Sequence, residues 1–363
     1  MYDYIFDIIN KNYININSKK GKYIINTYIK QIGGISKNIN LVYMAKPIYG
    51  GWVSFTSHLC LKLQETNNCN LYKITKRSEN KLRDYGYNIQ YNNKNINDLI
   101  KLPNLLITAI DKNYYKYLDF FPDNTIIVIH DPTEVKINSS SEVIKHLHRF
   151  KVITIRKTVK DYLKNKFNIN SDFLYHPFYP YPKTINKNKN NIVSISRIDY
   201  DKNIDILLKA NKLLSNIKKI KIYGSKNDLY VYIKLKDLDS MDRNDKKSAY
   251  KGTFTKSFKS INNILSNAKF VVDLSSIKND GGGTQYTFLE AIYQDCVIIL
   301  NQKWIEGTNS IFKNGVNCIT VSNEFELVDI LVNTNNTTLN KILKNSKKIL
   351  EKHVNVKWNI LFN

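Results

Sequence analysis

The chain has no run of about 18 apolar residues, so nothing in it reads as a membrane-spanning helix. Its first residues, MYDYIFDIINKNYININ, mix acids with apolar residues and have no basic stretch ahead of an apolar core. That argues against a secretory leader. Cysteine is scarce: Cys60, Cys69, Cys296 and Cys318 are widely scattered, and none falls in a CxxC pair. Such spacing fits reduced, buried thiols in a cytoplasmic setting better than a disulfide framework. The P-loop pattern GxxxxGKS/T, the zinc-protease pattern HExxH and the hydrolase elbow GxSxG are all absent. So is GxGxxG. His146 and His148 lie two apart, so on a helix they point to different faces and make a poor metal pair.

Negative charge is also in short supply. Asp and Glu number 31 against 55 Lys and Arg, a formal net charge of +24. Positive potential of that size draws phosphate, whether on nucleic acid, anionic lipid or a nucleotide. The same stretches are rich in Asn, Ile and Tyr, as in NKNKNN and YNNKNIND, so a compositional bias accounts for the excess better than a dedicated polyanion-binding role.

What is present is enough for two cores. The chain has 363 residues, 42% of them apolar. After an N-terminal stretch that reads as helical, short β-branched runs alternate with helical patterns. NINLVYMAKP (38–47), LLITAI (105–110), TIIVIH (125–130), KVITIR (151–156) and DFLYHPF (172–178) read as strands. Strands of this kind, separated by helices, imply a parallel sheet covered on both faces. YPYPKTINKNKNN (179–191) breaks the pattern with prolines and a polar run, and reads as a linker. The alternation then restarts with NIVSIS and continues through KFVVDLS to CVIIL. The expected division is an N-terminal unit over 1–182, a linker over 183–190, a second unit over 191–345 and a C-terminal helical segment over 346–363 that packs back on the first unit. Ligands of open α/β sheets sit outside the carboxyl ends of the strands, so a site is expected in the cleft between the units.

Five stretches can carry chemistry there. SRIDYDKN (196–203) follows a strand, and its Arg197 and Lys202 can converge on one anion, the first as a planar fork and the second as a point charge. NDGGGTQYTFLEA (279–291) puts Gly281, Gly282 and Gly283 before a helix, where backbone amides can approach an anion without Cβ clashes. Thr284 is placed to cap that helix, and Glu290 in its second turn can accept hydrogen bonds from a sugar diol. PIYGGW (47–52) repeats the strand–glycine–helix construction with Gly50 and Gly51. IHDP (129–132) places His130 and Asp131 at a strand end, where a neutral imidazole can bond a substrate. DLD (237–239) has the spacing of an oxygen-ligand pair, but its polar, charge-rich surroundings read as a solvated loop, so no metal is expected.

The ordered set resembles retaining glycosyltransferases of the GT-B fold, family 4 in particular, over about 45–330. KPIYGGWVSFTSHLCLKL is similar to the family's early glycine loop and its helix, and TIIVIHDP to the strand that ends in a histidine. SRIDYDKNIDILLKA matches the arginine–lysine loop, with Ser196 where the family usually has glycine. YKGTF (250–254), ILSNAKFVVDLSS (264–276) and GTNSIFKNGVNCITV (307–321) follow in the family's order. In one place the chain departs from it. The family has two glutamates separated by seven residues; Glu290 fits the second, but the first position is Gly282, and Asp280 is the only acid nearby.

The resemblance implies an α/β GT-B fold of two Rossmann-like units and transfer of a sugar from a nucleotide-sugar donor with retention, without metal or other cofactor. By the same resemblance, Arg197 and Lys202 would meet the leaving diphosphate. His130 and Asp280 would contact the transferred sugar, and Glu290 would hold the ribose. Gly50, Gly51, Gly281, Gly282, Gly283 and Thr284 would cradle the donor. The acceptor is open between a glycan, a lipid-linked sugar and a protein. The charge adds a DNA base as a further candidate, as in viral enzymes of this fold. The missing first glutamate keeps a non-enzymatic nucleotide-sugar-binding protein in view. The N-terminal segment and DKNYYKYLDFF (111–121) mix basic and aromatic residues. The second reads as an amphipathic helix packed on the sheet or as a peripheral membrane contact.

Overall fold

The computed structural model describes residues 4–7, 12–32, 37–46, 50–136, 140–184, 186, 188–215, 219–255, 257–276, 283–306 and 310–362. The N-terminal stretch opens not as a helix but as a hairpin, β1 (Tyr4–Asp7) against β2 (Asn12–Asn15), with α1 (Lys19–Ile32) after it. A large sheet follows, made of β3 (Asn38–Met44), β4 (Asn68–Ile74), β5 (Arg83–Gly86), β6 (Ile89–Lys94), β7 (Leu105–Ile110), β8 (Ile126–Ile129), β9 (Lys151–Thr154) and β10 (Asp172–Phe173). Between these strands run α2 (Gly51–Gln64), α3 (Ile96–Leu99), α4 (Thr133–Lys136), α5 (Ser140–Leu147) and α6 (Lys157–Phe167). DFLYHPF pairs over only two residues before the chain leaves the sheet. DKNYYKYLDFF forms a 3₁₀ stretch, Lys112–Phe120, that buries Tyr115 and Leu118 in the core of this sheet, as an amphipathic segment should.

The second sheet consists of β11 (Asn191–Ile195), β12 (Ile220–Tyr223), β13 (Ala268–Asp273), β14 (Val297–Asn301) and β15 (Ile319–Val321). Its helices are α7 (Ile204–Leu213), α8 (Asp228–Tyr230) with a π turn over Val231–Leu235, α9 (Phe258–Leu265), α10 (Tyr286–Tyr293), α11 (Glu324–Asn333) and α12 (Asn336–Val354). A last 3₁₀ turn spans Trp358–Phe362.

The strand order explains where a ligand can sit. The first sheet runs β10-β9-β8-β7-β3-β4-β6-β5, parallel except for β5 at the edge. The second runs β12-β11-β13-β14-β15, parallel throughout. In each sheet the first parallel strand, β3 or β11, is flanked on one side by the next strand and on the other by a later one. That is the Rossmann order, which reverses direction beside its first strand. Strands buried on both faces need no polar alternation, and β7 and β8 are buried at every residue.

Three apolar clusters fill the molecule. One covers a face of the first sheet and another a face of the second. The third is shared, running from β3 and α2 through α10 and Trp358 to β11 and β14. The stretch 183–190 has no helix or strand among its described residues, yet it is fastened down. Lys183 Nζ donates to the Tyr293 carbonyl and to Asp295, and the Thr184 amide donates to Asn262. The end of the chain returns to the first half, where Trp358 Nε1 donates to the Tyr175 carbonyl and its ring stands edge-on to Phe55.

Candidate functional site

Where a Rossmann sheet reverses its order, adjacent loops diverge and leave a crevice outside the carboxyl ends of the strands. In the second sheet that point lies between β11 and β13. After β11 the chain turns at Asp199, whose carboxylate accepts from the Tyr200 amide, and a 3₁₀ turn over Tyr200–Lys202 ends at Asn203, in the left-handed conformation at φ 48°. This turn draws Arg197 and Lys202 together. Arg197 Nη2 and Lys202 Nζ each stand 3.5 Å from the same oxygen, Asp201 Oδ2. Arg197 Nη1 also lies 3.2 Å from Asp199. Lys202 Nζ donates to Ser275 Oγ at 2.7 Å, and the Ser275 hydroxyl bonds in turn to buried Asp273 at the end of β13. The lysine is therefore held on a stem of hydrogen bonds with its side chain only 12% exposed, while that of Arg197 is 64% exposed. Sequence reading placed the two cations but missed the acids between them and the serine below. A cavity of about 280 Å³ adjoins this loop, lined by Asn203, Ser276, Asn301, Lys303 and Glu306 among others.

The first sheet reverses between β3 and β7. There Gly50 caps α2 at φ 95°, a conformation L side chains rarely adopt, and as the cap residue it brings no side-chain bond to the helix end. Among the described residues, nothing lies within 4 Å of where a Cβ on Gly50 or Gly51 would stand, so the helix start opens onto free space. His130 follows β8. Its Nε2 lies 2.7 Å from the Thr108 carbonyl. A carbonyl only accepts, so Nε2 carries the proton and Nδ1 is left as the acceptor. Burial lowers the imidazole pKa to about 4, against the pull of the Thr108 bond, so His130 is neutral at pH 7.

Glu134, which sequence reading passed over, organises this corner. Its Oε1 accepts from Trp52 Nε1 and its Oε2 from the His130 amide, both at 2.9 Å. Burial, with Asp131 adding to it, pushes the Glu134 carboxyl well above the usual carboxylate range. The only cue in the sequence was an acid four residues past the histidine, in HDPTE.

The glycine stretch divides. Asp280, Gly281 and Gly282 lie outside the described residues. Gly283 lies against the first half: a Cβ there would stand 3.0 Å from Cδ and Nε of Arg156, which follows β9. Glycine lets that arginine stem pass this close without shifting. Thr284 is buried, but the helix cap is Gln285, which makes no side-chain cap bond, so the expected Thr284 cap does not form.

Glu290 sits at 1% exposure in the joint between the halves. Its Oε1 is 4.0 Å from His58 Nε2. The His58 ring is sandwiched between Tyr286 and Phe178, and its Nδ1 accepts from the Tyr179 amide. The structure thus gathers Gly50, His130 and Gly283 around Trp52, Glu134 and Arg156, and pairs Arg197 with Lys202 on the opposing loop. Glu290 is turned to His58 in the packed interior. Asp239 of DLD takes the Met241 and Ala249 amides and the Ser248 hydroxyl and so organises its own loop. Among the described residues no group of three His, Cys, Asp or Glu is placed to hold a metal ion, and no helix is long and apolar enough to cross a membrane.

No family model and no curated protein matches the sequence. Solved structures do resemble it. HepE of Anabaena, solved with UDP and glucose, aligns at a TM-score of 0.62 and 12% identity over 87% of this chain and 95% of that one. An alpha-glucosyltransferase solved with UDP aligns at 0.61 and 12% identity over 88% and 96%. The same enzyme, solved with UDP and a 13-mer DNA containing an HMU base, gives 0.61 and 12% over 87% and 95%. A glycosyltransferase of Rickettsia africae aligns at 0.57 and 13% identity over 90% and 96%. At such identities the likeness shows the fold: two Rossmann-like sheets facing each other, the GT-B architecture of these glycosyltransferases.

Proposed function

We propose that the chain is a glycosyltransferase that moves a sugar from a nucleotide-sugar donor to an acceptor hydroxyl, with retention and without a metal. One observation carries the reading. Arg197 and Lys202 already converge on a single carboxylate oxygen, at the reversal point of one sheet, in a fold whose other reversal point carries an open helix start and a neutral histidine. A diphosphate carries more charge than Asp201 and would displace it. The two cations would then stabilise the charge that develops as the nucleotide leaves. His130 Nδ1 would accept a hydrogen bond from the transferred sugar, and the amides at Gly50, Gly51 and Gly281–Gly283, with Thr284, would hold the donor. Asp280 takes the place of the sugar-contacting acid in this scheme, and Glu290 that of the ribose-holding one. The division into 1–182, 183–190, 191–345 and 346–363, a cytoplasmic location, and glycan, lipid-linked or protein acceptors, the lipid-linked ones met at a membrane surface, belong to the same proposal.

UDP-, GDP- and ADP-sugars are to be incubated with the protein and released nucleotide measured. One donor should turn over, UDP-linked by analogy with the UDP-bound neighbours. Arg197→Ala and Lys202→Ala should each lower turnover about a hundredfold or more without unfolding the chain; near-normal rates in either would remove the phosphate assignment. Thermal stabilisation by a donor without turnover would make the chain a nucleotide-sugar-binding protein instead.

A DNA acceptor is a second reading, favoured by the alpha-glucosyltransferase solved with a 13-mer DNA and by the charge of +24. It requires duplex binding whose affinity falls steeply with salt.

A further inference from the structure

Arg156 was read only as the end of the strand KVITIR, yet its position is unlike that of a surface cation. It stands past the carboxyl end of β9, where the ligand crevices of such sheets open. Its side chain crosses from the first half to the second and lies over Gly283, with Cδ and Nε 3.0 Å from where a Cβ would be. A Cβ at 283 would make the arginine stem give by a few tenths of an ångström. The guanidinium charge is felt at His130 and Glu134 of the first half: burial sets the direction of both pKa shifts, and Arg156 adds to the first and opposes the second. One cation thus stands between the histidine corner and the start of the glycine-led helix α10.

We propose that Arg156 is a third anion-binding residue of the donor site, supplied by the half opposite Arg197 and Lys202, and that it grips the terminal phosphate of a nucleoside diphosphate. The proposal rests on the donor-site reading above. A planar fork held by its stem suits a phosphate bidentately, and presses its charge where a helix start already favours anions. With Arg197 and Lys202 on one half and Arg156 on the other, the leaving diphosphate would be met by cations from both halves of the fold.

The test is calorimetric titration of the full chain with UDP and with UMP, which differ in the terminal phosphate. The wild type should prefer UDP. Arg156→Ala should weaken UDP about tenfold to a hundredfold while UMP changes less than about twofold, the loss expected for one charge-assisted pair. Arg156→Lys should recover part of the preference. Gly283→Ala, which keeps the charge and shifts the stem by a few tenths of an ångström, should show a smaller UDP-selective loss. Equal weakening of both nucleotides, or an unchanged UDP preference in Arg156→Ala and Arg156→Lys, overturns the assignment while leaving the donor site standing. A wild type that binds neither uridine nucleotide, nor GDP or ADP, overturns the donor site itself. Thermal melts identify any variant that has lost its fold, and Arg156→Lys then decides.

Discussion

At the scale of single residues, the histidines give a testable account of stability. His130 and His353 are both held neutral by burial, with pKa values near 4, and burial lowers those of His58 and His176 as well. In the unfolded chain these groups take up protons from about pH 6.5 downward. Between pH 6.5 and 4 the unfolded state therefore binds more protons than the folded one, and stability falls as pH falls. At about 1.4 kcal/mol for each tenfold change, His130 and His353 each contribute on the order of 3 kcal/mol that is present at pH 7 and lost by pH 4. Glu134 works in the opposite sense, since its folded pKa is raised and its protonated form is favoured at low pH. Urea midpoints should drop steadily from pH 7 to pH 4.5. His353→Asn, which keeps a donor toward the His176 carbonyl, should flatten the profile. A wild-type midpoint that stays level to pH 5 would mean these rings are not buried neutral. Residues of this kind were only half legible in the sequence. His130, Arg197 and Lys202 stand just past strand ends, and the strand pattern finds them. Glu134 and Arg156 take their meaning from contacts such as Arg156 with Gly283, which no spacing along the chain announces.

At the scale of elements, legibility follows burial. β7, β8 and β13 are largely apolar runs because parallel strands are covered on both faces, and their spans were readable within a residue or two. The hairpin β5–β6 was not. It is polar, and its two-residue turn is Tyr87–Asn88, both at positive φ, where Asn-Gly is the usual signal. A tyrosine in that conformation is strained, and the strain is offset by the burial of its ring and by its hydroxyl bond to Ser54. α10 shows the same limit. Its second-turn Glu290 reads by sequence as an acceptor for a sugar diol, but in the fold it faces His58 across the joint with α2. Glu290→Gln tests what it does there. The amide keeps the side-chain volume, so the melting temperature should move only a few degrees. If the carboxylate also bonds a ribose, uridine and UDP should both weaken by about tenfold, because a neutral acceptor replaces a charged one. Unchanged affinity for both would leave Glu290 as a packing partner of His58 alone.

At the scale of the whole molecule, the two halves are not beads on a string. A single apolar cluster runs from Ile39 and Phe55 in the first half through Tyr286 and Phe288 to Ile298 in the second. His58, Tyr87, Tyr181 and Phe258 interlock at its centre, with Tyr181 stacked on Phe258 at 4.4 Å between centroids. The stretch 183–190, which reads as a free linker, is bonded to α9 and α10 at Thr184 and Lys183. The chain end closes the ring, because Trp358 leaves α12 to seat on Phe55 and on the Tyr175 carbonyl. An interface of this kind is apolar and aromatic, and such interfaces unfold together with what they join. Calorimetry should therefore show one cooperative transition for the full chain. Trp358→Ala removes a fully buried ring and its hydrogen bond, and should cost about 3–5 kcal/mol, lowering that single transition rather than splitting it. Two resolved transitions in the wild type, or a Trp358→Ala protein in which only one half melts early, would show that the shared cluster does not couple the halves. Closure over a donor would then be a free hinge motion, whereas a coupled joint leaves it to loop movements at Arg197–Asn203 and around Arg156.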